Sequence, residues 1–346
     1  MKEVDYIIVG LGIAGITFCE QLKLQGKRFV VFDPIKDTAT AIAGGVVNPV
    51  VLKRFTAVWN IQTFLPGAFT YYSILSDQLE VDCVKPVQLH RILKSVQEQN
   101  DWLVAGDTHR LAPFLSSEIL ENTNPSVDAP YGFGGVQQVF RIDTPVLIEA
   151  YREALVNSGQ LHTEIFEYEA LEATQPVLQY KKYKARKVVF AEGAGAVHNP
   201  YFNLQCLIPK KGEYLIVKAP QWRLKAILKG AIFIIPLGDD HYKVGATFDH
   251  HSTECKITQD AKEELKVKVR NIMNLPFEVV DQVAGMRPTV KDRRPLLGSI
   301  HNKNLLFFNG LGTRGLVMAP WLAEQLYQFS ENDQPIPEEI NIKRFV

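Results

Sequence analysis

Hydrophobic residues along this chain fall either in short unbroken runs or at helical spacing, and the first alternation of the two sets the pattern. Residues 7–9 form an apolar run that leads directly into Gly10-Leu11-Gly12-Ile13-Ala14-Gly15. A helix-length segment follows, and a second apolar run, residues 29–32, ends on Asp33. Short apolar runs bounded by glycine or an acid suit strands buried on both faces of a parallel sheet, so the stretch predicts a βαβ unit. Over residues 59–79 aromatic and apolar positions recur at helical spacing, which predicts a core helix. Residues 81–140 read as short strands and turns, with Gly132, Gly134 and Gly135 punctuating a hairpin or bulge region. Asp143-Thr144-Pro145 then supplies a cap and an early proline for a helix whose apolar face is Leu147, Ala150, Tyr151, Ala154 and Leu155. Ser158-Gly159 ends it.

The second half returns twice to the same kind of edge. A strand is expected over residues 161–168, and another at 187–190 runs into Ala191-Glu192-Gly193-Ala194-Gly195, bringing backbone to the carboxyl edge of a parallel sheet. An antiparallel excursion follows. Residues 212–218 form one strand, and 232–237 and 242–248 flank Gly238-Asp239-Asp240 as a hairpin. Asp260 with Glu263 reads as a capping box opening a helix with Ala261, Leu265, Val269 and Ile272 on one side. The chain then passes through Gly285-Met286-Arg287-Pro288 to an apolar strand at 305–308, a second glycine-rich turn and a helix over 316–329. Residues 331–337 look like a polar, proline-bearing tail.

Composition narrows this picture. A length of 346 residues suits one large or two modest domains, and 38 basic against 38 acidic residues create no overall field to recruit nucleic acid or an anionic membrane. The local basic clusters at 181–187 and 291–294 read as solvated faces. Cys19, Cys83, Cys206 and Cys255 are scattered and form no CxxC pair, which favours a reducing compartment and argues against a structural zinc site. The N-terminal apolar run is broken by glycines, so it reads neither as a signal peptide nor as a membrane span, and a soluble cytoplasmic protein is expected.

The glycines carry the first chemistry. Gly10 permits the tight turn, Gly12 lets a pyrophosphate approach the backbone, and Gly15 lets the helix pack on the strand, while the helix N-terminus offers free N–H groups to phosphate. Asp33 stands where an adenosine ribose would be bound, and its charge would repel the extra phosphate of NADP. The small residues from Thr38 to Pro49, including Thr40, Ala43, Gly44 and Gly45, either let a flat ring approach the backbone or pack tightly against a neighbouring element.

Taken in order, GLGIAG with Asp33, the AIAGG loop, FRIDTPVLIEAYREAL, VVFAEGAGA, KKGEYLIV, KVGATF, GMRPTVKDRRPLLG and LLFFNGLGTRGLVMAPWLAEQL resemble the D-amino-acid oxidase and glycine oxidase family of FAD-dependent oxidoreductases over nearly the whole chain. The resemblance implies an α/β fold. A Rossmann-like FAD domain is assembled from residues 1–80, 136–205 and 285–346, and a substrate domain on a mixed, largely antiparallel sheet from 81–135 and 206–284. It also implies an FAD site that includes Gly10, Gly12, Ile13, Ala14, Gly15, Asp33 and Pro34. Thr40, Ala43, Gly44 and Gly45 match the loop beside the flavin, Leu171 an adenine-side contact, and Ala191, Glu192 and Gly193 the second dinucleotide-contacting strand end. Gly310, Gly312, Thr313, Arg314, Gly315 and Leu316 match the loop along the pyrimidine edge of the ring. The implied reaction oxidises the C–N bond of a small amine, an amino acid or N-substituted amino acid, by hydride transfer to flavin N5, with oxygen or another carrier as electron acceptor. Charge developing at N1 and O2 would be met by N–H groups at the start of the last helix.

Arg287 matches the arginine that holds the substrate carboxylate in amino-acid-oxidising relatives, and its fork suits that task; a structural salt bridge is the alternative. Arg314 or Thr313 fills the loop position where glycine oxidase carries an arginine, or Arg314 is an exposed loop tip. Phe233 stands where glycine oxidase has a tyrosine, and Phe248 adds a second aromatic wall, so a substrate larger and more apolar than glycine is expected, or one held by Arg287 and backbone alone. No cysteine lies near Arg287 or Gly310, so non-covalent FAD is expected, with no metal. His250 and His251 read as solvated loop residues. Oxidative removal of a side chain from a tRNA base, and an FAD-binding protein without turnover, are the competing readings. The neutral charge and the absence of an attached methyltransferase domain argue against the first.

Overall fold

The computed structural model describes residues 1–34, 38–173, 177–249, 252 and 254–346, so His250 and His251 lie outside the described residues. Strand Lys2–Val9 is buried on both faces: Tyr6 and Ile8 enter one core, while Ile7 and Val9 enter another. This is the period-2 consequence of an unbroken apolar run. It pairs in parallel with Phe29–Phe32 on one side and Tyr183–Phe190 on the other. Leu161–His162 extends the sheet beyond Phe29–Phe32, and Leu305–Asn309 continues it beyond Tyr183–Phe190. An antiparallel meander of Leu178–Tyr180 and Leu171–Glu172, together with Leu296–Gly298, completes the eight-stranded sheet. Helices Ile13–Leu24, Ile61–Gln78, Thr144–Asn157 and Gly315–Asn332 share the core on one face.

The second eight-stranded sheet runs in the order Glu278–Arg287, Lys210–Lys218, His241–Gly245, Phe233–Gly238, Ile227–Lys229, Leu89–Ile92, Phe133–Val136, Leu115–Leu120. Its neighbours are antiparallel except Ile227–Lys229 with Leu89–Ile92, which makes it mixed but largely antiparallel. Helix Gln259–Arg270 covers one face, burying Leu265 and Val269 against Leu215, Val217, Ile234 and Val244. Side chains on the opposite face, Ile227 and Ile235, join the core of the first sheet's helices. That face therefore looks toward the glycine-rich strand ends. Among the described residues no helix is long and apolar enough to cross a membrane.

Several local expectations are corrected. Residues 81–140 contain a helix, Val96–Gly106, that buries only Trp102 and so lacks an apolar stripe; Ser95 caps it by accepting from the Glu98 N–H at 3.1 Å. Thr258, not Asp260, caps helix Gln259–Arg270 through the Ala261 N–H. The Asp143 carboxylate makes no cap bond and instead accepts from Arg141 at 3.2 Å. The strand expected over 161–168 stops at His162, and the one expected from 187 begins at Tyr183. Phe248 lies beyond its hairpin strand, which ends at Gly245.

Glu331 does not begin a solvated tail. Its carboxylate is nearly buried and accepts from Lys27 at 2.5 Å, Lys187 at 2.8 Å and the Tyr6 hydroxyl at 2.7 Å. Lys187, expected on a solvated face, is accordingly buried, and Ile336, Ile340 and Ile342 pack inward beyond the helix. Burial alone would raise the Glu331 pKa, but bonds from Lys187, Lys27 and Tyr6 outweigh it and hold the carboxyl at about 2, against an ordinary value of 4.5. A depressed carboxyl pKa contributes stability that is full above the ordinary value and is lost as pH falls toward the folded one. Glu331→Gln should therefore lower stability by about 2–3 kcal/mol at pH 7. The gap should close between pH 4.5 and about 2, as read from urea unfolding midpoints across that range.

Candidate active site

The carboxyl ends of the central parallel strands meet through backbone. Gly10 has φ +96°, and a Cβ there would stand 2.6 Å from the Ala191 carbonyl oxygen; a Cβ on Gly15 would stand 2.1 Å from the Gly10 carbonyl oxygen. Both glycines are therefore required by the fold itself. Gly12 differs, because the only neighbour a Cβ would meet among the described residues is the Thr40 hydroxyl, at 3.6 Å. That hydroxyl also accepts from the Ile13 N–H at 3.1 Å, leaving Ala14 and Gly15 as the next N–H groups without intrahelical acceptors. Open space above Gly12 beside a helix N-terminus is what a pyrophosphate needs.

Asp33 is buried, and both of its oxygens have partners: Leu11 N–H donates at 2.7 Å and Arg152 at 3.2 Å. Burial raises its pKa, opposed by those two partners. The pairing with Arg152 corrects the expectation that the Asp33 charge by itself repels a 2′-phosphate, since the pair is neutral. Pro34 follows directly; residues 35–37 lie outside those described. At the second strand end the Glu192 carboxylate is turned away, bonded to the Tyr168 hydroxyl and to Asn199 at 2.7 Å, so only its backbone approaches Gly10. Leu171 is buried in the edge meander, and Gly193 accepts from the Asn309 side chain at 2.9 Å.

The small-residue loop is wedged between the two sheets. The Ala43 carbonyl accepts from Lys243 at 3.0 Å. A Cβ on Gly44 would stand 2.6 Å from Ile235 and 3.8 Å from the Tyr214 hydroxyl, and one on Gly45, which has φ +71°, 1.9 Å from the Ile142 carbonyl. Tight packing thus accounts for both glycines. The C-terminal turn is bound in a similar way: Gly310 and Gly312 have φ +77° and +54°, Gly312 N–H donates to the Pro288 carbonyl at 3.0 Å, and a Cβ on Gly315 would stand 3.2 Å from Ile13. Leu316 packs against the core and Thr313 is exposed. Arg314 is not an exposed loop tip. Its guanidinium is buried and donates to the carbonyls of Asn48 at 2.8 Å and Val50 at 3.3 Å, and burial lowers its pKa to about 10.

On the facing sheet, the Arg287 guanidinium lies over Gly212, where a Cβ would come within 2.2 Å of it, and the Phe248 ring sits 4.6 Å from its Cζ. Its Nη1 is buried and has no hydrogen-bond partner among the described residues. Among the described residues no acid forms a salt bridge with it. Phe248 is 53% exposed, stacking on Arg287 at the rim, not walling an interior. Phe233 is half-buried and pairs with Gly245. Two side chains escaped sequence reasoning. Tyr214 lays its ring over Gly245, where a Cβ would stand 2.5 Å from Cδ1, and Lys243 is buried 5.1 Å from that ring. Burial, then the charge of Arg141, lowers the Lys243 pKa to about 8. Neither side chain gives a separate signal in sequence: Lys243 alternates with His241 along an ordinary strand, and Tyr214 sits in another. Among the described residues no cluster of metal-binding side chains exists.

Residues 5–328 match the DAO family model, whose description is FAD dependent oxidoreductase. The chain belongs to that family. It is 22% identical to a glycine oxidase of Pseudomonas aeruginosa, with 95% of each chain covered. A tRNA 5-methylaminomethyl-2-thiouridine biosynthesis bifunctional protein, MnmC, of Idiomarina loihiensis is 25% identical over 92% of this chain and 54% of its own length. Glycine oxidase from Geobacillus kaustophilus has the same fold, with a TM-score of 0.81 at 19% identity, covering 97% of this chain and 96% of that one.

The space above Gly12 makes a prediction specific to FAD. Gly12→Ala should leave the thermal unfolding of the FAD-free protein within about 1 kcal/mol of the parent. It should weaken FAD retention at least about tenfold, through displacement of the pyrophosphate, as read by the ratio of flavin to protein absorbance after dialysis.

Proposed function

We propose that this member of the DAO family oxidises the C–N bond of an amine that carries a carboxylate, an amino acid or an N-substituted amino acid. The observation that carries the reading is the Arg287 guanidinium, buried at one end, stacked on Phe248 and left with Nη1 unpartnered. A buried unpaired donor of this kind is costly, and a bidentate carboxylate would satisfy it. In this reading FAD is carried by residues 1–80, 136–205 and 285–346 and the substrate by 81–135 and 206–284. The open backbone at Gly12 and the N–H groups of Ala14 and Gly15 receive the pyrophosphate, and Asp33 shares an oxygen with the ribose.

When bound, FAD would supply the acceptor for the hydride leaving the carbon next to the substrate nitrogen. The rest falls to the chain. Arg287 fixes one end of the substrate, and Tyr214 and Phe233 form an aromatic floor beneath its carbon skeleton. Lys243 and Arg314 place positive charge around the loop at Ala43 and at the start of the last helix. That charge disfavours a protonated substrate amine and so favours the neutral form, whose lone pair assists hydride departure. It would also offset negative charge on FAD when the cofactor is bound. Cys19, Cys83 and Cys206 are buried in the cores, which supports a non-covalent cofactor.

The test is anaerobic reduction of the purified yellow protein by a panel of D-, L- and N-alkyl amino acids, followed by the loss of flavin absorbance. Bleaching by carboxylate-bearing amines is the expected result; a colourless preparation that FAD cannot reconstitute would overturn the reading. Arg287→Lys should retain FAD and lose about 10- to 100-fold in kcat/KM for those amines, because an ammonium cannot reproduce the bidentate fork. Kinetics identical to the parent would remove Arg287 from the site.

A further inference from the structure

Strand register places a second cation on the same sheet face. Reading across the sheet, Arg91 pairs with Lys229, Lys229 with Phe233, Phe233 with Gly245, and Gly245 with Tyr214. Partners in register point to the same face, so the Lys229 side chain shares the floor that Tyr214 and Phe233 form. Its Nζ leans over the Phe233 ring, 4.7 Å from the centroid, and donates to the Ala231 carbonyl at 3.3 Å. An ammonium has three donors, so two remain. Arg91, the next cation along the row, is already held by Glu98 and the Leu52 carbonyl.

The strongest charges acting on Lys229 are positive: Arg91, Lys268, Lys94 and Lys53. Among the described residues no acid pairs with it. Burial and then these four cations lower its pKa to about 8. A half-buried ammonium beside the Phe233 ring on this sheet face, repelled by its neighbours and left with spare donors, is stabilised by an anion that no described residue provides.

We propose that Lys229 forms a second anion subsite opposite Arg287, so that the preferred substrate is an amine bearing two acid groups, one on each cation. This rests on the placement of Arg287 in the proposed function. Geometry sets the size of the ligand. Lys229 leans inward over strand Phe233–Gly238 and Arg287 over Lys210–Lys218, with His241–Gly245 between them. The two heads are then two strand spacings apart, roughly 10 Å across the sheet and about 7 Å along it. A diacid with a short carbon spacer bridges that distance, its carbons lying on the Tyr214 and Phe233 rings. Phe233 offers no hydroxyl there, which suits an apolar spacer between two charged ends.

The experiment titrates the FAD-loaded protein by calorimetry at fixed ionic strength with glutarate and with butyrate, which differ chiefly in the second carboxylate. Glutarate should bind about tenfold more tightly or better. Lys229→Met should bring the ratio of the two affinities close to one, while Lys229→Arg preserves it; flavin absorbance of each variant reports that it is folded and loaded. Equal affinities in the parent, no glutarate binding at millimolar concentration, or an undiminished ratio in Lys229→Met would each overturn the subsite. The reaction itself is read separately. A diacid preference in a protein whose flavin no amine reduces counts against the proposed oxidation alone, whereas reduction by monocarboxylate amino acids with an affinity ratio of one counts against the subsite alone.

Discussion

The site depends first on one backbone approach, that of Gly10 to the end of the strand Tyr183–Phe190. The Ala191 carbonyl stands where any Gly10 side chain would begin, and the Ala191 N–H returns a bond to the Val9 carbonyl at 2.8 Å. Tyr183–Phe190 is also the strand on which Leu305–Asn309 pairs. One close contact therefore aligns three segments that are far apart in the chain, and it sets two helix N-termini side by side, with Gly315 against Ile13. Helix dipoles and unpaired N–H groups then converge on one edge. The second sheet is fastened to that edge through the loop at Ala43–Gly45, with Lys243 and Ile235 below it.

Buried charge is treated differently in two parts of the molecule. At Glu331 a carboxylate meets two ammonium groups and a phenol, and the cluster is complete without any ligand. Between the sheets the pattern is reversed. Arg314 and Lys243 donate to carbonyls, and Arg287 keeps an unpartnered nitrogen. Burying cations without anions opposes folding, by several kcal/mol per ion before compensation. Concentrating that cost where the glycine-rich turns converge is intelligible if the missing negative charge arrives with a dinucleotide and an acidic substrate. On that view, ligand binding and folding are linked at this interface and nearly independent at Glu331.

Much of this was legible in sequence because the deciding residues are local. Gly10, Gly12, Gly15 and Asp33 lie in one βαβ unit, and the apolar runs at 7–9, 29–32 and 305–308 are unbroken, so strands buried on both faces could be read directly. What could not be read was pairing over long separations. The helix Val96–Gly106 shows no clear apolar face because Trp102 alone is fully buried, with Leu103 and Ala105 only partly so. Glu331 looked like part of a tail because its partners, Tyr6, Lys27 and Lys187, are remote in sequence. Glu192 was placed correctly at a strand end, yet its carboxylate belongs to Tyr168 and Asn199, a detail fixed by packing, not by motif. Tyr214 and Lys243 sit in ordinary strand patterns and became visible only when the register put them on the inward face.

That register also changes what the loss of a hydroxyl at Phe233 means. Read alone, phenylalanine in place of tyrosine suggests a site with less polar contact. In the folded chain Phe233 faces Gly245, and Gly245 faces Tyr214 from the next strand. With φ at +154° and no side chain, Gly245 leaves room for the Tyr214 ring to lie flat across the strand, so an aromatic surface spans three strands and carries one hydroxyl displaced toward Gly44. Polarity has been moved along the sheet, away from the Phe233 ring and toward the loop between the sheets. Charged groups now mark both ends of this floor, Lys229 over Phe233 and Arg287 over Gly212, while its middle is apolar. On the proposed reading, a ligand matched to that surface carries charge at its ends and carbon at its centre, which glycine, with one carboxylate and no side chain, does not.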